Sequence, residues 1–368
     1  MIFEALVDEF FVGRKDELGL LKRDECMAFY GPNRIGKTWL FKKYIKYAEE
    51  VCVYLDLDKL DLIPELFSKE IVGLCIKALN KSKLSNDKFF DIENLKRFKY
   101  GDKAEFAFLK IKAEKDREKK IRIAFDFIVE LKKIIKKNIK IFIERFEFCN
   151  EIHKRFLEIV IEYIEKYGLC FVVSCSSLTE FSNIFKGKLK RLFDLFTIKE
   201  LPYKEAKELM RKIVKRKLKE QECKKLYKFV RGHPYYLTKI CETFKQVNNV
   251  EESFLLEVLK FDGRIYEFCK SKLDSFIGKS CLYKSIIFVV SRNPGITIRG
   301  VADSLDKDYN VINVYIHRLL GDVLVMRNGS LYLYDLIFTI WLNYFYKDIE
   351  VGPKEMNEIK AHYYKNEI

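Results

Sequence analysis

Between residues 26 and 45 the chain carries a pattern that admits few folds. Cys26-Met27-Ala28-Phe29-Tyr30 is an apolar run of strand length. Gly31-Pro32-Asn33-Arg34-Ile35-Gly36-Lys37-Thr38 follows at once, and from Trp39 onward apolar residues recur at helical spacing (Leu40, Tyr44, Ile45). Strand, GxxxxGK[ST] and helix together make a phosphate-binding loop in its required context. Gly31 and Gly36 let the backbone curl so that successive N–H groups face an anion at the positive end of a helix. Lys37 sets a point charge against the β/γ-phosphates, and the Thr38 hydroxyl is of the type that ligates Mg²⁺. The arrangement predicts an α/β fold: a parallel sheet flanked by helices, with nucleoside triphosphate as the ligand.

Further strands follow the same logic. Val51–Asp58 is a buried strand run after the loop helix, as a βαβ unit demands. Residues 80–122 hold 14 basic and 8 acidic residues with poor periodicity, and are expected to be a helical insertion, partly mobile and without catalytic residues. A helix over 121–137 leads to Asn138-Ile-Lys-Ile-Phe-Ile-Glu144-Arg145-Phe146-Glu147, an apolar strand ending in acids. Leu169–Ser177 is a further strand, closing on Ser174, Ser176 and Ser177, of which Ser176 or Ser177 can cap the next helix. Lys188, Lys190 and Arg191, ahead of a strand at Phe193–Ile198, read as a solvated basic loop or as a cation offered to phosphate.

The remainder changes character. A long amphipathic stretch runs from Tyr203 to Lys219, and residues 204–228 hold 11 basic against 4 acidic residues. Gly232-His233-Pro234 reads as a corner between two helices, glycine ending one and proline starting the next. Beyond residue 278 come three helical stretches, with Thr297 as a cap for Ile298–Leu305. A hairpin follows in which Asn328-Gly329 is the turn. Three helices and a two-stranded wing make a winged helix, a module that often enters the DNA major groove. Between Arg299 and Arg327, however, four bases face four acids. A neutral face is poor for phosphate, so a protein partner or an intramolecular contact competes with DNA.

The set of motifs resembles the archaeal ATPase branch of the STAND/AAA+ P-loop NTPases. Phe11-Val12-Gly13-Arg14-Lys15-Asp16-Glu17-Leu18 resembles that group's F-x-G-R-x-x-E-L box, which implies that Phe11, Val12, Gly13 and Arg14 pack near the adenine. "L-P-x-x-E-A" at 201–206 followed by "G-x-P-Y-Y-L" at 232–237 resembles the group's lid, implying that His233, Pro234 and Arg231 face the nucleotide. "D-L-I-F-T-I-W-L" at 335–342 resembles its closing segment. The resemblance implies residues 1–200 as the NTPase core, 201–277 as an all-α lid, 278–350 as a winged-helix domain and 351–368 as a tail. ATP or ADP with Mg²⁺ are the implied ligands. Residues 31–39, including Trp39, form the implied nucleotide cradle, with Thr38 and Glu144 toward the metal and Ser174 and Ser176 as sensors beside the γ-phosphate.

One departure matters. The group places Asp-Glu at the end of the acidic strand, and this chain has Glu144-Arg145. Glu144 is one methylene longer and still suits a hydrated cation, but Arg145 cannot take a proton near neutral pH. Either turnover is weak, or another carboxylate such as Glu147 polarises the attacking water. Nucleotide binding and hydrolysis are therefore separate questions.

Composition narrows the setting. The 368 residues are 49% hydrophobic with a formal charge of +15, enough for two or three packed domains and compatible with an acidic partner. Ten scattered cysteines without CxxC pairs, and only four histidines, argue against zinc and for a reducing cytoplasm. The acidic N-terminus does not read as an export signal, and the most apolar stretch, 331–346, is too short to span a bilayer.

Overall fold

The computed structural model describes residues 8–80, 97–215 and 218–345. The chain divides into two units, one of residues 14–33 and 37–198, the other of the described parts of 1–13, 34–36 and 199–368.

The first unit opens with α1 (Lys15–Leu21) and is built on five parallel strands: β1 (Met27–Tyr30), β2 (Val51–Asp56), β3 (Ile139–Glu144), β4 (Cys170–Cys175) and β5 (Asp194–Thr197). Their order is β2-β3-β4-β1-β5. All residues of β1, β3 and β4 are buried, as strands covered on both faces must be, whereas edge strand β5 is largely exposed. The order puts β4 between the strand that feeds the phosphate loop and the strand that ends in acids. Ser174 accordingly stands in register with Phe29 on one side and Glu144 on the other. Ligands of such sheets bind beyond the carboxyl ends of the strands, where Gly31, Glu144 and Ser174 lie.

Helices cover the sheet: α2 (Lys37–Tyr47), α3 (Pro64–Leu79), α4 (Gly101–Ala113), α5 (Arg117–Ile135), α6 (Phe156–Tyr167), α7 (Leu178–Ile184) and α8 (Lys188–Leu192). α2 is held by Phe41, whose ring meets Phe29 at 5.7 Å and Phe142 at 5.3 Å. Helix α4 lies within the stretch 80–122 that the sequence marks as helical, and it is packed rather than poorly periodic. Ala104, Ala107, Phe108 and Ile111 form one buried face at i, i+3, i+4 and i+7, and the interspersed lysines masked that period. Residues 81–96 lie outside the described residues. Lys188–Arg191 form α8 ahead of the start of β5, at the end of the parallel sheet away from the phosphate loop, and Lys188 pairs with Glu165. Ser177, rather than Ser176, caps α7 by accepting from the Glu180 N–H.

The second unit is helical, with α9 (Tyr203–Val214), α10 (Glu220–Val230), α11 (Pro234–Val247), α12 (Val250–Val258), α13 (Arg264–Ile277) and α14 (Cys281–Arg292). α9 stops at Lys215, whose φ of 56° is left-handed, so the amphipathic stretch is shorter than its pattern suggests. Then come β6 (Ile296–Thr297), α15 (Ile298–Leu305), α16 (Tyr309–Leu319), β7 (Leu324–Arg327), β8 (Ser330–Leu333) and α17 (Leu336–Phe345). Three helices with the antiparallel sheet β6-β8-β7 form a winged helix. Its turn residues Asn328 and Gly329 have φ of 52° and 78°, as a type I′ hairpin requires.

The separate sequence motifs of this unit are physically joined. The Leu201 N–H donates to the Gly232 carbonyl at 3.0 Å, and a β-carbon on Gly232 would fall 2.0 Å from Leu201 O. Only glycine allows that approach. A β-carbon on Gly13 would meet the Glu205 carboxylate at 1.8 Å, and Lys212 Nζ donates to Phe11 O at 3.1 Å. Tyr236 donates to the half-buried Asp335 at 2.6 Å, which ties "G-x-P-Y-Y-L" to "D-L-I-F-T-I-W-L". Lys272, 3.3 Å away, helps hold Asp335 ionised.

Candidate functional site

The site is built at the carboxyl end of the sheet. Gly31 leaves β1 with its N–H donating to Cys175 O at 3.3 Å, which moors the loop to β4. Arg34 and Gly36 adopt left-handed φ values of 64° and 105°. These turn the backbone inside out, the alternation that makes an amide concavity. Ile35, between them, is fully buried. α2 then starts at Lys37, so the loop ends on a helix N-terminus.

Lys37 is buried, and its Nζ donates to Gly31 O at 2.5 Å and Pro32 O at 3.0 Å. Burial pulls its pKa down to about 8, against the opposing pull of the Glu147 and Glu144 carboxylates. A lysine strained in this way gains from an anion. Thr38 Oγ1 donates to Glu144 Oε2 at 2.8 Å. The Tyr54 hydroxyl donates to the same oxygen at 3.0 Å. Glu144 is buried, and its other oxygen, Oε1, has no hydrogen-bond partner. Desolvation raises its pKa, opposed by the bonds from Thr38 and Tyr54.

Glu147 stands on the turn that leaves β3. Its Oε1 accepts from the Ser176 N–H at 3.0 Å, and its buried Oε2 has no partner. Burial raises its pKa as well. Arg145, in left-handed conformation at φ 57°, directs its guanidinium to 3.9 Å from both Glu147 and Asp58. Ser174 Oγ is also buried without a partner.

Three partnerless buried polar atoms, Glu144 Oε1, Glu147 Oε2 and Ser174 Oγ, are costly to a folded chain, at roughly 1–3 kcal/mol each. Grouped where the phosphate loop ends, they have the character of ligand-facing groups. Among the described residues no three His, Cys, Asp or Glu side chains are placed to hold a metal ion. The donors fit Mg²⁺, which needs only one or two carboxylates and takes the rest of its shell from phosphate and water.

The structure therefore brings together Gly31, Pro32, Asn33, Lys37, Thr38, Glu144, Glu147, Ser174 and Ser176 in one unit, with Trp39 on the first turn of α2. Arg14 begins that unit, buried and bonded to Glu17 at 3.0 Å. Phe11, Val12, Gly13, His233 and Pro234 belong to the second unit. There Pro234 starts α11 and the buried His233 ring stacks on Tyr236 at 4.2 Å. Arg34 groups with them, its guanidinium 4.2 Å from the Tyr235 ring centroid and 4.5 Å from that of Phe268. Sequence reasoning missed Tyr54. The one available signal was a polar-tipped aromatic inside an otherwise apolar strand, since a buried tyrosine hydroxyl needs a partner.

Comparison with known proteins agrees with this geometry. A family model described as an ATPase domain predominantly from Archaea matches residues 16–240. The chain belongs to this family. It carries a nucleotide-binding ATPase domain. Among solved structures, the archaeal Walker-type ATPase of Pyrococcus abyssi is similar at 13% identity and a TM-score of 0.69, over 90% of this chain and 96% of that one. The Aeropyrum pernix ORC2 protein follows at 10% identity and 0.44, over 97% and 98%. A RuvB mutant of Thermotoga maritima is similar at 13% and 0.45, over 94% and 98%. No curated protein matches the sequence.

Proposed function

We propose that this archaeal-type ATPase works as an ATP-binding switch with slow hydrolysis. The carrying observation is the trio of partnerless buried atoms on Glu144, Glu147 and Ser174 beside Lys37 and Thr38. Lys37 and the loop amides would hold the phosphates, and Thr38 with Glu144 would hold Mg²⁺, which when bound neutralises the phosphate charge. Arg145 stands where the family carries its catalytic glutamate and has no proton-accepting function. Glu147 is the remaining carboxylate. Its Oε2 is open, but Oε1 is tied to Ser176 and a guanidinium stands nearby, which weakens it as a base. Turnover should then fall below about 0.1 s⁻¹, against a typical ~10 s⁻¹ for enzymes. Phosphate-release kinetics on saturating Mg²⁺–ATP test this. A rate of several per second, abolished in Glu147→Gln, would show a competent hydrolase instead.

On this reading the second unit comprises a lid over 201–277 and a winged helix over 278–350 that respond to nucleotide state. The outward face of α16 favours a protein partner, because Tyr309, Val311 and Val314 are exposed there and Arg318 is its one exposed Lys or Arg. The alternative is a DNA-associated protein, working through the basic lid and the winged helix. Duplex affinity that falls steeply with salt would favour it. All ten cysteines are free and nine are buried, which suits a cytoplasmic setting. Among the described residues no helix is long and apolar enough to cross a membrane.

A further inference from the structure

We infer that Tyr54 is a positioning residue, whose hydroxyl fixes the Glu144 carboxylate so that the longer glutamate can serve the cation. The inference rests on the Mg²⁺–nucleotide reading above and deepens it.

Glutamate at position 144 has one more rotatable bond than aspartate. A carboxylate meant to meet a hydrated cation must be held still, and the extra bond works against that. Two hydroxyl donors from different elements converge on a single oxygen, Thr38 Oγ1 at 2.8 Å from α2 and Tyr54 Oη at 3.0 Å from β2. With Oε2 fixed at two points, the carboxylate plane is set and Oε1 is the oxygen left for a ligand.

The sheet explains why a tyrosine can do this. Tyr54 pairs in register with Phe142, and Asp56 pairs with Glu144. The anchoring residue thus starts two positions, about 7 Å, short of its target. A tyrosine spans that distance on a rigid ring with only two torsions, at little entropic cost. The directly opposed residue is no substitute, because Asp56 carries a like charge, which raises the Glu144 pKa, and is engaged with Lys59 at 2.6 Å. An aspartate at 144 would withdraw its oxygens by about one carbon–carbon bond, ~1.5 Å, and leave the Tyr54 hydroxyl out of reach. Tyr54 and Glu144 therefore form a matched pair. Groups that orient a metal-holding side chain typically contribute about 10–100-fold to metal affinity.

The test is a double-mutant cycle on the full chain, read as binding. ATP is titrated calorimetrically with and without Mg²⁺ into wild type, Tyr54→Phe, Glu144→Asp and the double variant. The Mg²⁺-dependent gain in affinity should fall about tenfold in Tyr54→Phe. In the Glu144→Asp background the same tyrosine change should alter that gain less than about twofold. A purely structural hydroxyl would lower the melting temperature and leave the gain intact, and that result overturns the inference. An equal loss in both backgrounds overturns the pairing. A wild-type protein that binds no ATP at all overturns the underlying reading, a failure visible before any variant is made.

Discussion

Strand β3 carries a buried charge near each end, and the two are treated differently. Near its start, Lys140 is fully buried and closed in. It donates to Leu21 O at 2.8 Å and to the Tyr44 hydroxyl at 3.1 Å, and it pairs with Glu50 at 2.9 Å. Tyr44 in turn bonds Glu50. At the other end Glu144 is anchored through one oxygen only. The first arrangement answers its own desolvation and fastens α1 and α2 to the sheet. The second leaves a desolvated oxygen unanswered, as a ligand-facing group would be. The contrast separates a structural ion cluster from a site on a single strand.

The largest expected effect breaks the closed end. Lys140→Met leaves Glu50 without its cation. It should lower stability by about 3 kcal/mol in denaturant melts, at the low end for buried pairs because Glu50 keeps partial solvent access. The affinity of the folded variant for Mg²⁺–ATP should stay within about twofold, since nothing near Thr38 or Glu144 changes. At the open end Glu144→Gln should do the reverse. Removing a charge that burial already disfavours should leave the melting temperature equal or higher, while the Mg²⁺-dependent gain in ATP affinity falls about tenfold.

A smaller effect is a matter of pH. Lys37 in the free protein titrates at about 8, below its ordinary 10.5. Phosphate favours the charged form, so ATP affinity should be flat below that pH and decline as it rises through about 8. The sign for stability is opposite. A folded pKa below the unfolded one means the unfolded chain holds more protons between about 8 and 10.5, so the nucleotide-free protein should gain stability across that window. Lys37→Met should flatten both profiles, in calorimetry and in thermal melts respectively.

Much of this was legible beforehand, for identifiable reasons. The phosphate loop, the Asn328-Gly329 turn and the Thr297 cap are local devices, and local chemistry determines them. The contacts that join distant motifs were not legible as contacts. Nothing in Leu201 or Gly232 announces that one carbonyl excludes a β-carbon on the other. Lys140 and Tyr54 escaped for a related reason. Each is a polar group flanked by apolar residues within a strand, and its partners lie 90 or more residues away in sequence. The helical character of 80–122 was legible, but the buried face of α4 was not, because lysines on its exposed side diluted the apolar period.

Everything proposed for this site requires that the loop around Lys37 and the half-bonded Glu144 hold a nucleotide. Calorimetric titration of ATP with Mg²⁺ into wild type and Lys37→Ala tests this directly. We expect saturable one-to-one binding in wild type, weakened about a hundredfold in the variant by the loss of a charge-assisted contact. Equal affinity in the two proteins, or no heat of binding to folded wild type, would contradict it.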